Sequence, residues 1–214
     1  MALTGGGPDS EVFLERVRSF FLEKLPLRPD YEERPEQLEM ALAVARALTD
    51  EELLVVEAGT GTGKSLAYLI PCLLWSFEHG QPVIISTRTL NLQQQLLEKD
   101  IPLLRELMDQ PFRATAARGW SNYVCLRRLD AVQNSQQMTP ELAHEAGQLA
   151  EVLGLGAPGI RQKLPVTDGL WSLVQADSQA CNRQLCPHYQ ECYLFRERRE
   201  MERSELIIAN HSLV

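Results

Sequence analysis

Apolar residues along the chain fall into two rhythms. Phe13, Leu14, Val17 and Phe21 recur at helical spacing until Pro26 and Pro29. Leu38, Ala41, Leu42, Ala45 and Leu48 repeat that spacing behind Pro35, whose missing N–H costs nothing at a helix start. The rhythm then changes. Leu53-Leu54-Val55-Val56 is a continuous apolar run of the kind buried on both faces of a parallel sheet, followed by a Gly-rich turn and an apolar helix from Lys64. Val83–Thr87 repeats the strand signal, and Leu90–Met108 repeats the helix signal through Leu92, Leu96, Ile101, Leu104 and Leu107. This alternation predicts an α/β fold whose parallel strands are joined by right-handed crossovers.

A third strand is predicted at Phe112–Ala117, after which regularity stops for about ninety residues in a stretch bounded by Cys125 and Cys192. Thr139-Pro140-Glu141 reads as a helix start there, and Gly154, Gly156, Pro158 and Gly159 read as a loop. The stretch is expected to be an insertion. A charged helix, Phe195–Arg203, precedes a last strand at Leu206–Ala209. Its four arginines and three glutamates predict pairs at i, i+4 rather than a nucleic-acid contact.

The chain has 214 residues, a net charge of -8, 44% hydrophobic residues and no low-complexity tract, which excludes disorder throughout and suits one globular domain carrying an insertion. Its longest apolar runs fall short of a membrane span, and the start MALTGGGPDSE lacks a basic, apolar leader, so a cytoplasmic location is expected. Residues 1–60 carry 13 acids and 6 bases, and the remainder 16 and 15. The acidity belongs to the N-terminal segment. It weighs weakly against nucleic-acid binding, which needs clustered Lys and Arg.

Glu57-Ala58-Gly59-Thr60-Gly61-Thr62-Gly63-Lys64-Ser65 lies between a predicted strand and a helix, the context that a phosphate-binding loop demands. The glycines let backbone N–H groups curl around phosphate oxygens, and the new helix points its positive end at them. Lys64 would reach the β- and γ-phosphates, and Ser65 would hold Mg²⁺. Ala58 stands where the pattern has its first glycine, and a small residue tolerates the same turn.

Cys181, Cys186 and Cys192 place three thiols within twelve residues, with Cys125 at the other end of the insertion. Four thiolates suit Zn²⁺ or an iron–sulfur cluster, and the spacing by itself leans toward zinc. His188 is an alternative fourth ligand to Cys125, and free core thiols are the plain alternative to any metal. A closed site would replace the hydrophobic core that so irregular a stretch is expected to lack. Cys72, on the apolar face behind the phosphate loop, reads as a core residue.

The ordered motifs Arg34-Pro-Glu-Gln37, EAGTGTGKS at 57–65, STRTLNLQQQL at 86–96, RGWSNYVCLRRL at 118–129, the late cysteines and IIANHSL at 207–213 resemble the DinG/XPD-like iron–sulfur helicases of superfamily 2, bacterial DinG-type members in particular. The resemblance implies a RecA-like lobe with an inserted, mostly helical cluster domain. It divides the chain into an N-terminal helical segment (1–29), the first part of the lobe (30–118), the cluster domain (119–195) and a return to the lobe (196–214). It implies ATP, Mg²⁺ and a [4Fe-4S] cluster as cofactors, with Cys125, Cys181, Cys186 and Cys192 as cluster ligands. Gln37, with Arg34 nearby, would read adenine, since an amide pairs with both a donor and an acceptor.

Thr87, Thr89 and Leu90 match the family's first DNA-contacting motif, although Thr89 also suits a helix N-cap. Arg113, Arg118, Arg127 and Arg128, interleaved with Trp120 and Tyr123, would line a DNA path beside the cluster, with a solvated face over a core aromatic as the plainer reading. The activity implied is ATP-driven unwinding, 5′ to 3′, of forked or tailed DNA in repair or replication, by a monomer that meets other repair or replication proteins. No segment carries a Walker B acid pair or a second motor lobe. The chain is therefore expected to be an N-terminal portion, inactive by itself. The competing readings are a non-catalytic redox-sensing module and a zinc-stapled P-loop protein.

Overall fold

The computed structural model describes residues 8–213, and the chain divides into two compact units, residues 8–116 with 203–212 and residues 117–202. In the first unit, α1 (Pro8–Ser19) runs into a wide turn at Phe20–Lys24 and a tighter one at Leu25–Leu27, where Pro26 ends the helix. Helix α2 (Pro35–Thr49) starts at its proline. Helix α3 (Lys64–His79) is the centre of the core: Ala67, Leu69, Ile70, Leu73 and Leu74 are all buried, against Phe13, Phe21 and Ala41 among others. Pro71 deprives α3 of one internal hydrogen bond. The helix stops at Gly80, whose φ of +64° no β-carbon tolerates cheaply and whose N–H donates to Ser76 O at 2.9 Å.

Strand β1 (Val83–Thr87) leads through α4 (Leu90–Gln95), a wide π turn at Leu96–Asp100 and α5 (Ile101–Leu107) to β2 (Ala114–Ala116). The π turn has a cause in the sequence. Pro102 has no N–H to donate to the carbonyl four residues back, so the preceding turn widens. The chain returns to this unit in β3 (Leu206–Asn210), which pairs in parallel with both other strands to give the order β1-β3-β2. Leu206, Ile208 and Ala209 are buried, as befits the middle strand.

One expected strand is not there. Leu53-Leu54-Val55-Val56 pairs with no other strand among the described residues, and Leu53 and Val55 are 95% and 87% exposed. A strand exists only through its neighbours, and this run joins neither β1 nor β2, the two edges of the sheet.

The second unit has α6 (Leu126–Gln133), α7 (Pro140–Gly154), α8 (Asp168–Val174) and α9 (Tyr193–Met201). Contrary to expectation it has a hydrophobic core of its own, in which Leu129, Val132, Leu149, Leu153, Leu170 and Trp171 pack together. Thr139 and Thr167 accept the N–H of Leu142 and Leu170 and so cap α7 and α8. Arg128 reaches from α6 to the other end of α8, where its guanidinium donates to the carbonyls of Leu173 (2.7 Å), Gln175 (3.1 Å) and Ser172 (3.4 Å). The arginines of the charged helix α9 also meet rings. Arg196 lies over Tyr193, Arg198 over Trp120 and Phe195, and Arg199 over Tyr189, so these arginines cover aromatic faces.

Gly159 shows how closely this unit is packed. A β-carbon there would lie 2.3 Å from the Tyr193 ring, which has no flexible end to swing aside. Gly159→Ala is expected to destabilise the chain by about 2 kcal/mol through overpacking. Urea unfolding would show this as a lower midpoint at unchanged slope, and an unmoved midpoint would mean that the ring shifts freely.

Candidate functional site

Two groups of residues carry the chemistry, one in each unit. In the first, Gly61 (φ +86°) and Gly63 (φ +73°) take conformations that favour glycine and wrap the loop around the start of α3. Thr62 donates from its hydroxyl to Gly59 O at 3.0 Å. The Lys64 ammonium donates to the carbonyls of Ala58, at 2.9 Å, and Gly59, which holds the charge at the mouth of the loop. Gly59, Thr60 and Gly61 are exposed, so their backbone can meet a ligand.

A cleft of about 370 Å³ opens beside this loop, lined by Arg34, Gln37, Gly61, Gly63, Ser65 and Asp100 among others. Gln37 is buried and its amide donates to Gly63 O at 2.9 Å, leaving Oε1 without a partner. The position predicted to read the base is thus tied to the phosphate loop itself. Arg34 is bonded to Glu32 at 3.0 Å, and Arg28 to Asp30 and Glu106. Asp100 was missed in the sequence. Burial raises its pKa, which donors on Gln95 and Ser65 and the charge of Lys99 counter only in part. Burial also raises Tyr68, to which Ser65 is again a hydrogen-bonding neighbour.

Cys72 is buried on α3, and burial pushes its thiol up to about 12. Such a thiol is inert, in keeping with a core role.

In the second unit the four remaining cysteines line one small cavity of about 30 Å³. Cys125 immediately precedes α6 and Cys192 immediately precedes α9, so two of the sulfurs sit where helix ends favour negative charge. The strand-like segment that carries Cys125 is fixed on both sides: Val124 N–H donates to Gly159 O at 2.9 Å and Cys125 N–H to Val174 O at 2.7 Å. Arg183 holds φ at +50°, which turns its N–H onto Cys181 Sγ at 3.3 Å. Arg127 donates to Ala180 O at 2.6 Å and so anchors the residue before Cys181. Burial raises the Cys192 thiol, and charge on Cys125 or Cys181 would raise it further.

His188 Nε2 is 2.7 Å from Asp130 Oδ2, so this imidazole is committed to a carboxylate. Among the described residues no group of three or more His, Cys, Asp or Glu is arranged to hold a metal ion.

The predicted DNA contacts fare unevenly. Thr87 is 3% exposed and its hydroxyl donates to the carbonyls of Ala209 (3.1 Å) and Thr89 (3.2 Å), so it bonds β3 rather than facing solvent. Thr89 is exposed and caps α4 by accepting from Leu92 N–H at 3.2 Å, and Leu90 beside it is exposed. These residues lie at the carboxyl ends of β1 and β3, the side of a parallel sheet where ligands bind. Tyr123 is 1% exposed and offers no face for a base to stack on. Arg118 and Glu197, each 15% exposed, form an ion pair, and burial raises both the Glu197 carboxyl and the Tyr123 hydroxyl beside it. The order of basic and aromatic residues at 118–128 therefore reflects internal packing at Arg118, Tyr123 and Arg128.

No family model matches the chain. Over 206 aligned residues it is 35% identical to the ATP-dependent DNA helicase DinG of Salmonella typhimurium, a match that takes in 87% of this chain and 29% of that protein. The DinG of Escherichia coli K12 is 34% identical with the same coverage. Along this stretch the chain resembles DinG. A protein of Haemophilus influenzae named ATP-dependent DNA helicase YoaA is 34% identical over 193 residues, which cover 84% of this chain and 28% of that one. The chain spans less than a third of the length of the curated relatives it matches. The DinG-like stretch takes in most of both units. Among the described residues no helix is long and apolar enough to cross a membrane.

Proposed function

We propose that this chain forms the nucleotide-binding segment of an ATP-dependent DNA helicase and bears a [4Fe-4S] cluster in its second unit. The observation that carries the reading is the phosphate loop, in which Gly61, Gly63, Lys64 and Ser65 open a 16-residue helix within a DinG-like stretch. Backbone N–H groups at Gly59–Gly63 would receive the β- and γ-phosphates, and the Lys64 charge would pass from loop carbonyls to phosphate oxygens. Ser65 would hold Mg²⁺, which neutralises charge on the phosphates during transfer. Gln37 Oε1 lacks a donor within the protein, and the exocyclic amine of adenine would supply one.

For the thiols, the donor set favours a cluster over a single zinc. One zinc needs four sulfurs about 2.3 Å from one point, and among the described residues no three ligand side chains gather around such a point. A cluster instead gives each thiolate its own iron, which suits four cysteines spread around one cavity. Cys125, Cys181, Cys186 and Cys192 would hold it, and it would supply either a structural tie or an electron-transfer centre. DNA contact falls to the exposed Thr89 and Leu90, where helix-terminal N–H groups can hold phosphates without reading sequence.

Equilibrium binding of a fluorescent ATP analogue, competed by ATP or GTP, tests the nucleotide reading. Displacement by ATP at about tenfold lower concentration than GTP is expected, because Gln37 pairs with adenine and mismatches guanine. Equal displacement would remove the base-reading role of Gln37, and the absence of saturable binding would remove the nucleotide site.

A further inference from the structure

The cleft beside the phosphate loop holds a carboxylate that neither the loop nor the base-reading residues account for. Asp100 ends the π turn at Leu96–Asp100, a wide turn of a kind that recurs at functional sites. It lines the same cleft as Gly61, Gly63 and Ser65. Gln95 and Ser65 offer it hydrogen-bond donors, yet its Oδ2 is buried with no partner. A buried carboxylate oxygen left in this way is costly unless a cation or donor arrives. The arginines of the cleft are bonded elsewhere, Arg28 to Asp30 and Glu106 and Arg34 to Glu32. A nucleotide brings its own cation, and Mg²⁺ keeps several waters whose hydrogens are donors.

We propose that Asp100 is a positioning residue for the divalent cation that accompanies the nucleotide, a role that rests on the nucleotide reading above. One carboxylate oxygen accepts the Ser65 hydroxyl hydrogen and leaves a Ser65 lone pair for the cation. Oδ2 accepts from the cation's water shell. The carboxylate also adds negative charge on the cation's side of the cleft, so its contribution is confined to nucleotide that carries metal.

Calorimetric titration of ATP, once with Mg²⁺ and once with EDTA, on the wild-type chain, D100N, S65A and the double variant separates the outcomes. D100N is expected to weaken Mg²⁺-ATP binding about tenfold and to change metal-free ATP binding by less than about twofold. S65A should show the same selectivity, and the double variant should lose little more than either single one, because the two groups act together. An equal loss with and without Mg²⁺ would overturn the proposal in favour of a packing or nucleotide-contacting role. Wild-type binding that ignores Mg²⁺ would overturn it as well and leave the nucleotide site standing. A wild-type chain that binds no ATP would overturn both. Circular dichroism checks the fold, and D100S carries the same comparison if D100N does not fold.

Discussion

Replacing Lys64 by alanine is expected to lower the affinity for ATP by one to two orders of magnitude while leaving the fold intact. The ammonium is held at the loop mouth by the carbonyls of Ala58 and Gly59, and both bonds can be exchanged for phosphate oxygens without moving the helix. Charge-assisted hydrogen bonds contribute about 1.5–3 kcal/mol each, which sets the size of the loss. Alanine is the best helix former and sits here at the first position of α3, so stability should hold. Titration of ATP against wild type and Lys64→Ala at matched melting temperature checks this. An affinity unchanged within about twofold would mean that the loop binds no phosphate through Lys64.

Arg118→Ala is expected to destabilise the chain by about 3 kcal/mol, the cost of leaving a largely buried carboxylate unpaired. Glu197 shares that site with Tyr123, where burial already disfavours its charge. Because the carboxyl's folded pKa is raised above its unfolded value, its contribution is fully present below the ordinary glutamate range and declines as pH rises through it. Removing Arg118 should therefore harm the chain more at neutral pH than in mild acid. Adding Glu197→Gln should recover much of the loss. Urea unfolding followed by the fluorescence of Trp120 and Trp171 reads this directly, since both residues lie in the second unit. A loss below about 0.5 kcal/mol together with weaker binding of single-stranded DNA would return Arg118 to the DNA contacts that its sequence setting suggests.

Features set by local rules were readable before the fold. Pro35 starts α2, the loop at Gly59–Ser65 declares itself through glycine spacing, and β1 and β3 show as short apolar runs. Features set by distant partners were not. Leu53–Val56 has every strand signal, yet a strand also needs a neighbour. The core of the second unit escaped notice because Leu129, Val132, Leu149, Leu153, Leu170 and Val174 are divided among three helices joined by irregular segments. Tyr123 stands among basic residues, where the sequence leaves a DNA-facing and a core aromatic both open, and the choice rests on Glu197, far along the chain, which sits beside it with Arg118. Asp100 falls inside the helix signal of Leu90–Met108, where nothing in the spacing singles it out. Only the π turn that Pro102 imposes, and the cleft shared with Ser65, give it a setting.

The most direct test of the account is the metal that the second unit carries. The chain should be purified without oxygen and its visible spectrum recorded together with iron, sulfide and zinc content, for wild type and Cys186→Ser. Broad absorption in the visible range with about four irons and about four sulfides per chain, lost in the variant, is the result predicted by four cysteines around one cavity. One zinc per chain without iron would contradict the cluster and leave a zinc-bound P-loop protein in its place.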